Sequence, residues 1–504
     1  MKKSVALLLA ALLLVLPLAA CGDDEQDANE VTVYVLGSTE NTTLNPYAAV
    51  SMEAWVRNAL FDTLLRFDSE GNIQPHLAES FIEDDDGVTI TFNLRRGLKA
   101  HDGSYITAED VYFSFNTMFS NVMYYWMSTY MSTWEIIDEY TFMVRKALPY
   151  FEVLNLLAVQ VPIVPKAAYE ERGEDGFAED PIGTGPFTFV SSGVDNTVTM
   201  RAFPDYWNGR PDVDNLVVRS PMDMTTAVVA LERGEIDIIT NVPSALWSVV
   251  QANQNLVFST TPGWSVMTLC FMNALSHDRY LRKAIYHGVN RENAIIFGTE
   301  NTAVEARDVY SARTMRELSG AVSIPGFDVE LAREYLAQSD YVPGTPIRLT
   351  VSTPDSAAVA QSIQNDMNQI GITINIEQVE AAAFGAMMGV ESSELDMFLS
   401  NMGLAMVSTF DMLLYWESDN PQWGPQIATS DEFDELARLI RLETDRDRLN
   451  ELALQAIEIQ YYLANHLGIY ESLFSIAHTS RISGIYPISA AAMVHYPGDL
   501  RVAR

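Results

Sequence analysis

An α/β fold assembled from more than one lobe is what the sequence predicts, on three observations. The chain has 504 residues, far more than one small core can organise, and that length favours two or three lobes. Hydrophobic residues make up 48% and charged residues 19%, with 8 Trp, 22 Tyr and 22 Phe, so disorder over the whole chain is excluded. From about residue 276 onward, helical and strand patterns alternate, as in a lobe whose sheet is covered by helices.

The elements follow in chain order. Val31–Leu36 is a β-rich run ending at Gly37-Ser38, which suits a first buried strand. Met52, Trp55, Val56, Ala59, Leu60 and Leu64 recur at i, i+3, i+4, i+7 spacing and predict an amphipathic helix packed on a sheet. Val88, Ile90, Phe92 and Leu94 alternate with polar residues, the mark of a half-buried strand. Thr107-Ala108-Glu109-Asp110 is a capping-box-like start for a helix through Val111 and Phe115.

Gly183-Thr184-Gly185-Pro186-Phe187 leads into strands near 187–190 and 198–203, with a helix near 225–233 and a strand at 236–239 after them. Helices are expected near 278–289, 329–338 and 356–370, and strands at 347–352, 372–378 and 397–400. Two helices then fill 432–467, and 469–476 reads as a returning strand. No repeat of 20 to 50 residues is present.

The N-terminus reads as an address. Lys2-Lys3 precedes an apolar stretch from Val5 to Ala20, too short to span a bilayer comfortably but suited to a secretory signal. Leu18-Ala19-Ala20-Cys21 resembles the lipobox of bacterial lipoproteins, which implies cleavage before Cys21 and a diacylglyceryl group on its thiol. Asp23–Glu30 is acidic and apolar-poor, a flexible tether. No later segment reaches 18 apolar residues, so the expectation is an extracytoplasmic protein, lipid-anchored to the outer face of the bacterial membrane.

The formal net charge of −36 repels nucleic acid and suits a solvated acidic surface. Cys270 sits in the apolar run Val266–Phe271 and reads as a small buried hydrophobe. The two cysteines and seven scattered histidines show no C-x-x-C or His-x-x-x-His spacing, so neither a zinc site nor any other cofactor is expected. G-x-S-x-G, H-E-x-x-H and Walker signatures are absent, which disfavours an enzyme such as a secreted peptidase or glycosidase. His101-Asp102-Gly103 reads as a turn in preference to a catalytic dyad, with the Asp102 carboxylate accepting backbone N–H bonds. Gly183 and Gly185 are expected to supply positive φ at a sharp turn between lobes, with Pro186 stiffening the exit.

Several segments, in order, resemble the extracytoplasmic solute-binding proteins of oligopeptide, dipeptide and nickel ABC importers (solute-binding family 5). They are Leu44-Asn45-Pro46, Phe61-Asp62-Thr63-Leu64-Leu65, Pro75-His76-Leu77-Ala78-Glu79-Ser80, Phe92-Asn93-Leu94-Arg95 and His101-Asp102-Gly103 with Thr107–Val111. Gly183–Phe187, Asp205-Tyr206-Trp207, Gly234-Glu235-Ile236-Asp237, Asn273, Arg282–Ile285 and Asn290-Arg291-Glu292 continue the series. The resemblance implies a two-lobed periplasmic-binding-protein-like fold, the type II, large three-subdomain variant, with a hinge between lobes. In that arrangement lobe I combines residues 31–75, 184–270 and 478–504, an accessory subdomain takes 76–183, and lobe II takes 271–477. The crossings between lobes are expected at Val266–Asn273 and around Ile476–Ser480.

The resemblance also implies a monomeric receptor that closes over a peptide and delivers it to a permease and ATPase. By analogy with the family, the cleft is lined by Ser38, Thr39 and Glu40 after the first strand, by Trp264 and Ser265 in the crossing, and by Gly403 to Trp416 in lobe II. Trp264, Tyr415, Trp416 and Trp423 are either apolar walls of the cleft or core and rim aromatics, and the Met- and aromatic-rich run 121–134, with Tyr125 and Trp126, reads first as packing of the smaller sub-lobe and otherwise as an adaptable surface. Peptide-binding members carry an Asp within an Asp-Pro run of the lobe II loop that pairs with the ligand ammonium. This chain has Val407-Ser408-Thr409-Phe410-Asp411-Met412 there and no Asp-Pro, so Asp411 is either the partner of the ammonium or a residue that caps or solvates the loop. An oligosaccharide or a nickel complex is the alternative cargo, although no His falls in these cleft segments.

Overall fold

Valines at alternate positions make Thr32–Leu36 a buried strand, and it pairs in parallel with Asn215–Arg219 on one side and Ile238–Thr240 on the other. The structure is a computed structural model that describes residues 30–503, except 38–40, 49–51, 122–129, 150–152, 307–317, 319–325, 381–382, 385–386, 388–394, 403–409, 411–412, 414–415, 421–423, 487–494 and the side chains of Pro262, Trp264 and Ser265. The lipobox and tether segment therefore lies outside the described residues.

The lobe I sheet runs from the edge strand Phe187–Ser192 through Val198–Ala202, Asn215–Arg219, Thr32–Leu36 and Ile238–Thr240 to the long strand His466–Thr479. That strand pairs antiparallel with a second long strand, Leu256–Phe271, from Leu256 opposite Thr479 to Cys270 opposite His466. Beyond it lie Met397–Met402, Pro346–Val351 and Thr373–Gln378, the sheet of lobe II. The two long strands are thus the shared spine of both lobes. Ala477 packs in lobe I with Leu36 and Ile239, whereas Leu269, Leu467 and Ile469 pack in lobe II.

The pairing breaks between Pro262 and Val266, opposite Leu473 and Glu471, and the short strand Ala303–Glu305 adds to the spine there through Ser472, Glu471 and Tyr470. A bulge at this level bends the spine, so this is where the lobes meet. The stretches expected to cross, 266–273 and 476–480, are the lobe-ward ends of the same strands. Apolar patterning identifies a strand but not the point along 16 residues where it changes core.

The accessory subdomain is an antiparallel sheet ordered Ala78–Glu83, Thr89–Leu94, Thr141–Lys146, Met131–Asp138. Helix Ala108–Ser120 covers it, capped as the sequence predicts: the Thr107 hydroxyl accepts from the Glu109 N–H (3.3 Å) and the Asp110 carboxylate from the Thr107 N–H (2.8 Å). Phe92, Phe115 and Phe142 share one interior with Val33, Val35 and Trp55, so this subdomain and the lobe I sheet have a continuous core. Met131 belongs to that interior, and Trp134 packs on Phe115 and Phe119. In lobe II, helices Arg279–Gly288 and Pro354–Ile370 cover the sheet, and Cys270 is fully buried as expected.

Gly183 and Gly185 correct the expectation placed on them. Neither has positive φ, and both lie inside lobe I. A Cβ on Gly183 would stand 1.8 Å from the Leu60 carbonyl oxygen, and one on Gly185 2.4 Å from that of Ala59. The requirement is close backbone approach to the helix Ala54–Leu60, not a left-handed turn. His101 fastens this contact. Its Nδ1 accepts from the Gly183 N–H (3.0 Å), which leaves the proton on Nε2 to donate to the Gly185 carbonyl (3.0 Å). Burial holds the His101 pKa down at about 4, so the ring is neutral. Asp102 accepts from the Ser104 N–H (2.9 Å) and Gly103 has φ +85°, which is the turn read from the sequence.

Candidate functional site

The expected cleft borders the carboxyl ends of two parallel strands. Ile238–Thr240 runs antiparallel to His466–Thr479 with Thr240 opposite Ile476, so its end, and that of the adjacent Thr32–Leu36, points along the spine toward lobe II. Open α/β sheets bind ligands outside such ends. The first strand leaves the sheet at Gly37, and the Glu53 side chain covers that glycine so closely that a Cβ there would meet its carboxylate at 3.1 Å. The Glu53 N–H in turn donates to Asn41 Oδ1 (2.9 Å), and both residues are buried. These contacts pin the two ends of the loop that carries Ser38, Thr39 and Glu40, which themselves lie outside the described residues.

On the other side of the crossing, the strand Met397–Met402 feeds the lobe II loop. Gly403, Asp411 and Tyr415 lie outside the described residues, as does Trp423. The loop's described part is anchored inward: Phe410, Leu413 and Trp416 all belong to a lobe II cluster. Trp416 is 1% exposed, and its ring stacks on His466 at 4.0 Å. Burial pushes the His466 pKa down to about 3, so a neutral imidazole faces the indole. Glu417 follows in an ion pair with Arg441, its pKa raised by desolvation against the pull of the guanidinium. Trp416 thus fastens the end of the loop to the lobe II interior.

The backbone of Trp264 and Ser265 runs within the spine at its bulge. Their side chains lie outside the described residues, as do Tyr125 and Trp126. Opposite them on the partner strand stands Glu471, only 3% exposed and paired in register with Val266 and Val304. The sequence reading missed Asn41, Glu53 and Glu471. For Glu471 a signal existed: a lone charge in the apolar run Gly468–Phe474 is rarely buried without a reason.

The accessory subdomain reaches lobe II directly. Tyr130 and Leu148 pack on the lobe II cluster, and a Cβ on Gly87 would lie 3.2 Å from the side chain of Thr444, in the turn between helices Asp431–Leu442 and Arg446–Leu463. The lobes are therefore in contact outside the spine as well as through it. Among the described residues no group of His, Cys, Asp and Glu could hold a metal ion, and no helix is long and apolar enough to cross a membrane.

Two long strands shared by both lobes, with a bulge at the junction, fit the two-lobed architecture that the family resemblance implied. The profile of the bacterial extracellular solute-binding proteins, family 5 (middle region), matches residues 72–424. The chain belongs to this family. Its members are substrate-binding proteins of ABC transporters that act outside the cytoplasm, and are not enzymes. The chain is 27% identical to the di/tripeptide-binding protein 2 of Pseudomonas aeruginosa (strain UCBPP-PA14), over 94% of this chain and 93% of that protein. In fold it is similar to the ABC transporter substrate-binding protein CtaP of Listeria monocytogenes, with a TM-score of 0.81 and 20% identity, over 94% of this chain and all of that one. It is also similar to the binding protein DppA of Helicobacter pylori in complex with the peptide STSA, with a TM-score of 0.73 and 22% identity, over 94% and 98% of the two chains.

Proposed function

We propose that this family 5 receptor captures short peptides between its lobes and delivers them to the permease of an ABC importer. The observation that carries the reading is the end-to-end similarity to a di/tripeptide-binding relative, which spans both lobes and the spine between them. The cleft's construction supports it. An extended peptide needs main-chain hydrogen-bond partners and apolar side-chain pockets, and strand ends are a source of the first. Ser38, Thr39, Glu40, Trp264, Ser265, Gly403, Asp411 and Tyr415 are the residues we assign to contact with it, and Tyr125 and Trp126 to its side-chain pockets. Asp411 is the proposed partner of the ligand ammonium.

Titration calorimetry with dialanine, trialanine and tetra-alanine tests the cargo, against maltotriose and nickel–histidine as competitors for the same role. The reading expects micromolar or tighter binding of at least one peptide and none of the others; binding of the sugar or the nickel complex alone overturns it.

We further propose that the protein works as a monomer tethered by lipid on Cys21, with the Asp23–Glu30 segment as its flexible leash. Cys21→Ser should release the protein from the membrane fraction while leaving peptide affinity unchanged. Loss of affinity in the soluble form would contradict the tether.

A further inference from the structure

The strand Leu256–Phe271 ends well past the bulge, and the helix that follows it, Arg279–Gly288, carries an unusual charge pattern. It holds no acidic residue, although the chain has 67 Asp and Glu against 31 Lys and Arg. Arg279, Arg282 and Lys283 fall within five positions of it. A cation in the first turn opposes the helix dipole, and like charges four residues apart repel. A chain this rich in carboxylates has ample means to offset such charges with ion pairs, and at this helix it does not.

Arg282 is spent inside lobe II. It is 1% exposed and its guanidinium donates to the carbonyls of Leu463 (2.8 Å), Leu275 (2.6 Å) and Ser276 (2.7 Å), which caps the C-terminus of helix Arg446–Leu463. Arg279 and Lys283 have no such task. Among the described residues neither forms an ion pair with a carboxylate, and both lie over tyrosine rings instead. Arg279 stands 4.3 Å and Lys283 5.0 Å from the centroid of one ring, that of Tyr462, which is 55% exposed. Tyr280 lies 5.4 Å from Arg279, and Tyr335 5.3 Å from Lys283. Desolvation and the charge of Arg279 both lower the Lys283 pKa, as expected of a cation without a counter-charge. The ring faces hold the two cations in place but accept none of the hydrogen bonds that a carboxylate would.

A cavity of about 700 Å³ opens beside this cluster, with Arg279 and Tyr280 in its lining. Asp278 and Asp340 also line it and offset Arg279 and Arg282, and the Asp278 carboxylate is itself taken by the N–H groups of Leu281 and Asp340 (2.9 Å each). Ile427 and Leu463 add apolar wall. The cavity thus has room for a neutral side chain, while the surplus positive charge belongs to the helix.

We propose that Arg279, Lys283 and Tyr462 form a docking surface for an acidic segment of a partner protein, whose carboxylates bond the guanidinium and ammonium groups while a neighbouring side chain enters the cavity. Arg and Tyr are the residues in which protein interfaces concentrate their binding energy, and stacking preorganises both here. A bilayer fits the observations less well. A chain of net charge −36 is repelled by anionic headgroups, and two cations do not reverse that. A short segment meets only the local field, because charges beyond about 10 Å are screened at ordinary salt.

Calorimetric titration of full-length protein with N-acetylated, C-amidated hexaglutamate at about 20 mM salt tests the proposal. Capped hexaglutamine is the neutral control, and phosphatidylglycerol vesicles are the bilayer arm. The wild type should bind hexaglutamate and neither of the others. Arg279→Gln combined with Lys283→Gln should weaken that binding at least about tenfold, and raising the salt to about 300 mM should weaken it as well. The thermal midpoint of the double variant should not fall, because the substitutions relieve a repulsion and break no ion pair. A wild type that ignores hexaglutamate overturns the proposal. So does binding that the double variant retains, which would put the probe elsewhere on the molecule. Binding of hexaglutamine or of vesicles to the same strength as hexaglutamate, or a lowered midpoint of the double variant, overturns it too. None of these outcomes depends on which cargo the lobes enclose.

Discussion

Lobe I and lobe II solve opposite problems with the same kinds of residue. In lobe I a histidine, His101, uses both ring nitrogens to bind the backbone of Gly183 and Gly185, and two glycines let that backbone lie against Leu60 and Ala59. In lobe II a histidine, His466, uses its ring face, stacked under Trp416, to hold down the end of a long loop. The first device locks a scaffold through directional bonds, which tolerate almost no change of residue. The second anchors the end of a loop through ring stacking and burial.

The largest effect should come from breaking the lobe I clip. Gly183→Ala places a methyl group 1.8 Å from the Leu60 carbonyl oxygen, which no local shift absorbs, and should cost about 4 kcal/mol or more. Urea denaturation and soluble yield read this out. As a control, Gly97→Ala meets open space and pays only for its positive φ of 76°, about 1 kcal/mol. Equal behaviour of the two variants would dissolve the distinction between close approach and turn geometry.

Next in size is the lobe II anchor. Trp416→Ala should destabilise the fold by about 3–5 kcal/mol, since it empties a fully buried site against His466. Trp416→Phe should recover most of the stability and keep peptide affinity within about twofold of the wild type. A Phe variant that is stable yet has lost its affinity would make Trp416 a wall of the cleft instead of an anchor.

The histidines sharpen the comparison through pH. His101 has a folded-state pKa of about 4, and His466 and His495 of about 3, all below the ordinary value of 6.5 because burial penalises the charged ring. The unfolded chain therefore binds more protons than the folded one below pH 6.5. Stability is fully present above that pH and is lost as pH falls toward 4, by about 3 kcal/mol for His101 alone. His101→Gln should lower stability at pH 7 and flatten its decline between pH 6.5 and 4.5 by about one proton. An unchanged slope would mean that His101 is already charged in the fold. The smallest effect belongs to Thr107→Ala, which removes one helix cap and should cost about 1 kcal/mol in a thermal melt.

Much of this contrast was legible in the sequence, and the part that was not has a physical cause. The strand at Thr32–Leu36, the capped helix at Ala108 and the alternation after Asp278 follow from periodicity and capping chemistry, which are local. The turn at Asp102-Gly103 was legible for the same reason. Gly183 and Gly185 were read as turn glycines because a sequence shows which residues lack a Cβ but not which backbone lies against them. Where along the spine one core gives way to the other was not legible, because both cores draw on the same long strands. Asn41 and Glu53 escaped notice because a buried polar pair looks, in sequence, like any polar loop flanking a helix.

The central claim is that the spine and its two lobes enclose a peptide. Native mass spectrometry of the full-length protein, purified without denaturation and then dissociated in the gas phase, tests it most directly. The account predicts a co-purified mass excess that fragments into a peptide series and disappears in exchange for added trialanine. A retained sugar or a metal complex that trialanine fails to displace would contradict it.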